Sequence, residues 1–217
     1  MANTPLCAVL FDYGQVLSRT PDLEQWERMK QVLGLDEINF QEGYWQYRHA
    51  YDRGDLDAVP YWRQIASDNR IALTETSLQQ LIDADVAMWA QLNQPMVQWL
   101  LRLREAGVKT GLLSNIGDAM AEGLRAKFEW MAGFDYAVYS HEHNLAKPEH
   151  AIYRIAAEGL GCAPEAILFL DDKAENIEAA RAVGMRGIQY DLKDHAAFEQ
   201  QMMAEGLDDL LAVGAVK

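Results

Sequence analysis

Two rhythms of apolar and polar positions divide this chain. The stretch 7–11, Cys-Ala-Val-Leu-Phe, is a short apolar run of buried-strand length, closed by Asp12 and followed two residues later by Gly14. From 19 to 93 the apolar residues recur at three- and four-residue spacing, the period of a helix with one buried face. Leu23, Trp26, Met29 and Leu33 form one such stripe, with Thr20 as the expected N-cap, Pro21 in the first turn and Gly34 as the stop. Further helices are predicted at 40–51, 58–67 and 76–92, and Pro95 resets the pattern. Beyond it, helices at 96–106, 119–131, 149–158, 174–183 and 196–205 alternate with apolar strands at 108–114, 134–139, 166–170 and 187–190. Strand–helix alternation predicts a parallel sheet layered with helices. The expected organisation is therefore an α/β core from 1–18 and 94–217, with an all-helical insert over 19–93 held by two linkers. An insert so placed is positioned to act as a lid over the strand ends.

Composition narrows this picture. The chain has 217 residues, half of them apolar, so it can bury a core without staples. Lys and Arg total 19 against 33 Asp and Glu, a net charge of −14, which argues against a nucleic-acid surface. The two cysteines, Cys7 and Cys162, show neither a disulfide framework nor metal-ligand spacing; they are expected as buried or loop thiols, compatible with a reducing compartment. Met1 to Pro5 carries no basic residue, the following apolar run is too short for a signal peptide, and no apolar run approaches a membrane span. A cytoplasmic protein with no membrane partner is the expectation.

The chemistry sits where the predicted strands end. The first strand ends in Asp12, the second in Ser114-Asn115, and the fourth in Asp171-Asp172 with Asn176 four residues beyond; Lys147-Pro148 follows the third and precedes a helix. In open α/β sheets, ligands bind in the crevice outside the carboxyl ends of the strands. Three carboxylates in one crevice raise each other's pKa unless a cation joins them. A hard divalent ion such as Mg²⁺ takes carboxylates, waters and phosphate oxygens together. Lys147 adds a point charge for a phosphoryl oxygen, and the Ser114 hydroxyl with nearby backbone N–H groups can hold the others. Asp12 is then free to act as a nucleophile.

These residues resemble the motifs of the haloacid dehalogenase-like hydrolase superfamily over essentially the whole chain. Phe11-Asp12-Tyr13-Gly14 is similar to its first motif, Ser114-Asn115 to the second, Lys147-Pro148 to the third, and Leu170-Asp171-Asp172 with Asn176 to the fourth. The resemblance implies a Rossmann-like core with a small helical cap at 19–93, Mg²⁺ dependence and hydrolysis through a covalent aspartyl intermediate. By the same resemblance, Asp12 is nucleophile and metal ligand, the Gly14 carbonyl a second ligand, Asp172 a third, and Asp171 a ligand directly or through water. Ser114 and Lys147 would hold the phosphoryl group.

One position departs from the pattern. Phosphatases of the superfamily usually carry a second Asp two residues after the nucleophile as general acid, and here that position is Gly14. The departure resembles the glucose-1-phosphatase-like and epoxide-hydrolase-phosphatase-like branch. Asp22, His141 and His143 are the residues considered as substitutes. Two other readings stay open: a metal-independent 2-haloacid dehalogenase, against which Asp171-Asp172 weighs, and a non-catalytic member that binds phosphate ligands. Substrate choice is expected to lie in the insert, where Trp45, Arg48 and Arg53 join Asn115 as candidate contacts to a small phosphorylated substrate. The Tyr44, Tyr47, Tyr51 and Tyr61 series is expected mainly as the insert's own packing, and exposed aromatics there leave room for a homodimer contact.

Overall fold

A computed structural model describes residues 5–213. The leader-free reading of the N-terminus and the end of the expected core fall partly on positions 1–4 and 214–217, outside the described residues.

Five parallel strands form one sheet in the order β3-β2-β1-β4-β5. They are β1 (Ala8–Phe11), β2 (Lys109–Ser114), β3 (Tyr136–Tyr139), β4 (Ile167–Asp171) and β5 (Arg186–Gln189). Burial on both faces explains why β1 and β4 read as unbroken apolar runs rather than alternating ones. On one face, Ala8, Leu10, Leu113, Ile167 and Phe169 pack with Ile152, Tyr153 and Ala156 of α7 (His150–Leu160) and with Ile177 and Ala180 of α8 (Ala174–Ala182). On the other, Val9, Phe11, Leu112, Leu168 and Leu170 join Trp99, Leu100 and Leu103 of α5 (Gln94–Glu105), Leu124 of α6 (Asp118–Lys127) and Phe198 of α9 (His195–Ala204). This is the α/β fold that the hydrophobic pattern predicts. A short helix α10 (Asp208–Ala212) follows, which the pattern did not indicate.

Between β1 and α5 lie four helices, α1 (Leu23–Leu33), α2 (Glu37–Arg53), α3 (Ala58–Asp68) and α4 (Glu75–Met88). Their ends follow local chemistry. The N-cap of α1 is Asp22, which accepts from Glu24 N at 2.9 Å, and not Thr20. Asp36 caps α2 by accepting from Asn39 N at 2.9 Å, and Gly34 and Gly54 close α1 and α2 in the left-handed conformation that glycine adopts without strain. Phe40, Tyr44, Tyr51, Tyr61 and Trp62 are buried and touch in tilted, edge-to-face or stacked pairs, so this tyrosine stripe is largely packing. The two connections to the core are pinned together: Ser18 bridges Leu92, Arg19 N donates to Gln91 O at 2.7 Å, and Asn93 N donates to Leu17 O at 2.9 Å.

The cysteines correct the sequence reading. Cys7 and Cys162, expected as thiols, form a disulfide with Cα atoms 6.0 Å apart. Cys7 leads into β1 and Cys162 into the turn before β4, and these neighbouring strands run parallel, with Cys7 N donating to Ala166 O at 2.7 Å. A separation of 155 residues hid the pairing, and the reducing-compartment inference loses its basis. Among the described residues, no helix is long and apolar enough to cross a membrane.

Candidate active site

Strand register builds the site. Phe11 of β1 lies opposite Leu170 of β4, so the next residues, Asp12 and Asp171, leave the sheet side by side; Asp12 N donates to Leu170 O at 2.9 Å. Asp172 follows one residue on, and carboxylate oxygens of Asp12, Asp171 and Asp172 lie within 4.8 Å of one another. Ser114 ends β2 on the other side of β1, and Lys147 comes from the segment between β3 and α7.

Lys147 is the internal counter-charge. Its Nζ lies 2.8 Å from Asp12 Oδ1 and 2.6 Å from Asp171 Oδ2, with the side chain 1% exposed. Burial alone would lower its pKa, but the two carboxylates outweigh that and raise it. Burial pushes the Asp12 carboxyl up to about 7, with Lys147 pulling it down and Asp171 and Asp172 adding to the rise. Asp172 is also raised, first by burial and then by Asp171. Asp171 is tied more tightly: Oδ1 accepts from Lys173 N at 2.8 Å and from Asn176 Nδ2 at 2.9 Å. Asn176 thus orients a carboxylate from beneath the site.

Asn115 serves the lysine. Its Nδ2 donates to Lys147 O at 2.9 Å and its Oδ1 accepts from Lys147 N at 2.8 Å, so both ends of the amide clamp the Lys147 backbone. Its amide is thus engaged at both ends, while the residue still lines the cavity. The buried Ser114 lines the cavity, and among the described residues its hydroxyl has no hydrogen-bond partner.

In the turn after Asp12 the constrained backbone position is not the glycine. Gly14 has φ −63° and ψ 126°, a conformation open to any residue, and a Cβ built there would meet only Trp89 Cζ3 at 3.8 Å. The constrained residue is Gln15, with φ 56°. Its side chain turns inward, and Nε2 donates to Asp172 Oδ2 at 2.9 Å. Nothing in the periodicity marked Gln15; only its place beside Gly14 pointed there.

A cavity of about 440 Å³ covers these groups, lined by Asp12, Gly14, Gln15, Ser114, Asn115, Lys147, Asp172 and Asn176 below and by Trp45, Arg48, His49, Asp52 and Trp89 from the helical segment above. Trp45 is 50% exposed and forms a wall. Arg48 lines the cavity yet is spent internally: Nε donates to Asp52 Oδ1 at 2.9 Å, and Nη1 donates to Asp85 Oδ1 and Oδ2 at 3.1 Å and to the Tyr44 hydroxyl. Its guanidinium braces α2 through Nε and ties α2 to α4 through Nη1. Arg53 lies outside the cavity lining, paired with Asp55 at 3.0 Å and Glu149 at 3.1 Å. Asp22, His141 and His143 do not line the cavity either. Asp52, His49, Trp89, Lys173 and Glu175 do, and the sequence reading did not single them out as site residues.

Comparison with known proteins identifies the family and the fold. The sequence matches the family described as haloacid dehalogenase-like hydrolase over residues 7–184. It is 28% identical to bifunctional epoxide hydrolase 2 from Sus scrofa, over 84% of this chain but 36% of that protein. It is also 28% identical to phosphatase MT3486 from Mycobacterium tuberculosis, over 86% of this chain and 88% of that protein. The chain thus spans about a third of the first relative's length. A crystal structure of the HAD family enzyme bt-2542 from Bacteroides thetaiotaomicron superposes with a TM-score of 0.76 at 20% identity, covering 89% of this chain and 99% of that one. The same enzyme has been solved in complex with magnesium and inorganic phosphate.

Proposed function

This chain belongs to the haloacid dehalogenase-like hydrolase family, and we propose that it is a Mg²⁺-dependent phosphatase of a small, sugar-phosphate-like metabolite, working through an aspartyl-phosphate on Asp12. The observation that carries this is the convergence of Asp12, Asp171 and Asp172 within 4.8 Å, with a single buried lysine among them. Three carboxylates offer only oxygen donors, and one ammonium leaves them undercompensated; that donor set fits a hard divalent cation. Asp12, Asp172, the Gly14 carbonyl and Asp171, directly or through water, would hold it. When bound, the cation supplies positive charge against the oxygens of a phosphoryl group. The magnesium and phosphate complexes of bt-2542 and the phosphatase relative MT3486 support the same reading.

Asp12 then performs the covalent step. One carboxylate oxygen forms a bond to phosphorus as the phosphorus–ester-oxygen bond breaks and the alcohol departs. Water attacks the phosphorus next, the bond to Asp12 breaks, and the carboxylate and free phosphate are released. Lys147, held by the Asn115 clamp, and the Ser114 hydroxyl stabilise charge on the phosphoryl oxygens. Gln15 and Asn176 keep Asp172 and Asp171 in place. The segment 19–93 acts as the cap, and Trp45 and Trp89 offer flat apolar surfaces to the rest of the substrate.

A panel of phosphate monoesters assayed with and without Mg²⁺ tests this. Turnover is expected only with the metal and is lost in Asp12→Asn. If no ester is hydrolysed above the Asp12→Asn background, the reading is wrong. Halide release from 2-haloacids in chelator would replace it with the dehalogenase reading, which has the weakness of leaving Asp171 and Asp172 uncompensated.

A further inference from the structure

Breaking an alkyl phosphate ester leaves an alkoxide that needs a proton, and general acid help is worth about 10²–10⁴-fold. The groups around Asp12 cannot provide it. Asp12, Asp171 and Asp172 are assigned to the nucleophile and metal, and Lys147 is shared between two carboxylates. Among the other described cavity residues, the carboxyl and imidazole groups are His49, Asp52 and Glu175. His49 and Glu175 are exposed, whereas Asp52 is half-buried and fixed.

Asp52 is fixed from two directions. Arg48 Nε donates to Oδ1 at 2.9 Å, while Oδ2 has no hydrogen-bond partner among the described residues. Its backbone carbonyl accepts from the Ser140 hydroxyl, and that hydroxyl accepts from Ile116 N at 2.7 Å, two residues beyond Ser114. The end of α2 is docked here: Gly54 takes φ 87° with its Cα against the His141 backbone, and its carbonyl accepts from Asn144 Nδ2 at 2.9 Å. This anchoring holds the last turn of α2 over the ends of β2 and β3, and Asp52 faces the same cavity as Asp12.

Resting on the phosphatase reading, we propose that Asp52 is the proton donor to the leaving oxygen and the base for the attacking water. As the phosphorus–oxygen bond breaks, its electron pair stays on the ester oxygen, which takes the proton from the Asp52 carboxyl. The Asp52 carboxylate then accepts a proton from water as that oxygen attacks phosphorus and the bond to Asp12 breaks, so the carboxyl is regenerated. Its surroundings suit a residue that must change protonation near neutrality. Burial pushes its pKa up to about 6; Arg48 on α2 pulls it down, Asp85 on α4 adds to the rise, and Lys173 ahead of α8 pulls it down. The other titratable groups that feel its charge are Tyr51 on α2 and Tyr61 on α3, while Tyr44 meets it only through Arg48 and His141 lies in the turn that holds the helix end.

Rapid-mixing assays of the Mg²⁺-loaded full chain with glycerol 1-phosphate and p-nitrophenyl phosphate test this. The nitrophenolate ion departs without a proton, so the two esters separate the acid role from the base role. Wild type is expected to turn over both. Asp52→Asn is expected to lose at least about 100-fold on the glycerol ester with no burst of alcohol. With the nitrophenyl ester it should release one equivalent of nitrophenol rapidly and then stall, which also shows that the variant is folded and that Asp12 is working. Asp52→Glu, which keeps a proton-bearing group, should recover at least about 10-fold of the lost glycerol-ester turnover. Equal losses on the first step with both esters, or no loss with either, would overturn the assignment of Asp52 while leaving the phosphatase reading standing. Failure of the wild type on both esters would overturn both.

Discussion

Arg48 can be tested for what its contacts imply, a structural cation and not a substrate contact. Arg48→Met keeps most of the aliphatic stem and removes the guanidinium. It strands two carboxylates, Asp52 and Asp85, whose side chains are 18% and 2% exposed. Removing one partner of a buried charge pair costs about 3–5 kcal/mol, because the remaining charge is left without compensation. For a chain of this size, each kcal/mol lowers Tm by roughly 2–4 °C, so the expected loss is about 6–20 °C.

The pH dependence has a definite sign. Burial raises the Asp52 carboxyl in the fold from 3.8 to about 6, and Arg48 is the strongest influence pulling it down. Without Arg48 it rises further. A carboxyl raised by folding gives stability that is fully present below the unfolded pKa and is lost as pH rises through the folded one. The deficit of Arg48→Met should therefore be smallest below about pH 6, grow as the wild-type carboxyl ionises above that value, and reach its full size only above the variant's own, higher pKa. Urea unfolding of both proteins at pH 5 and pH 8 reads this out. A deficit under about 1 kcal/mol at pH 8, or one larger at pH 5 than at pH 8, would refute the ion-pair reasoning and return Arg48 to the substrate side.

Three further outcomes follow from particular contacts. Gly14→Asp should fold with a stability change within about 1 kcal/mol, since the backbone there is extended and the nearest atom to the new Cβ is 3.8 Å away; a collapse in Tm would contradict that geometry. Mg²⁺ at about 100 times its Kd should stabilise the protein by about 2.7 kcal/mol, and Asp172→Asn should remove most of that Tm shift; an unchanged shift would move the metal elsewhere. Cys7→Ser should cost about 2–5 kcal/mol by opening a loop of 155 residues, measured by urea unfolding beside wild type treated with dithiothreitol; equal stability would dispute the bond.

Local pattern carried the architecture far, and it failed where distant residues meet. The strand β1 and its terminal Asp12 were legible because four apolar residues buried on both faces leave an uninterrupted run with a polar stop. The pair Asp171-Asp172 was legible for the same reason at the end of β4. Arg48 was not, because its partner Asp85 lies 37 residues away on a helix whose apolar stripe hides one acid among hydrophobic residues. The clamp made by Asn115 was not legible either, because a strand-end amide carries no mark of the backbone it will hold 32 residues later. Gly14 drew attention as a glycine, while the left-handed conformation fell on Gln15. Asp52 stands four residues from Arg48, a helical pair visible in the sequence, but its place over the cavity depends on how α2 ends against the turn at 140–142.

The charge of the chain bears on how an anion enters. A net −14 opposes a phosphate unless cations gather locally. The structure places cations at the cavity, but each buried one is divided between two acids: Lys147 between Asp12 and Asp171, and Arg48 between Asp52 and Asp85. Neither has charge to spare, and Asp172 stands beyond both. The protein alone therefore presents an acidic pocket, one that an anionic ester enters unfavourably. A divalent cation among the three aspartates reverses that balance, freeing Lys147 to face a phosphoryl oxygen. On this argument the metal governs substrate binding as well as turnover. Phosphate affinity measured by calorimetry should fall when Mg²⁺ is removed, and undiminished affinity in chelator would mean that Lys147 and Ser114 suffice without it.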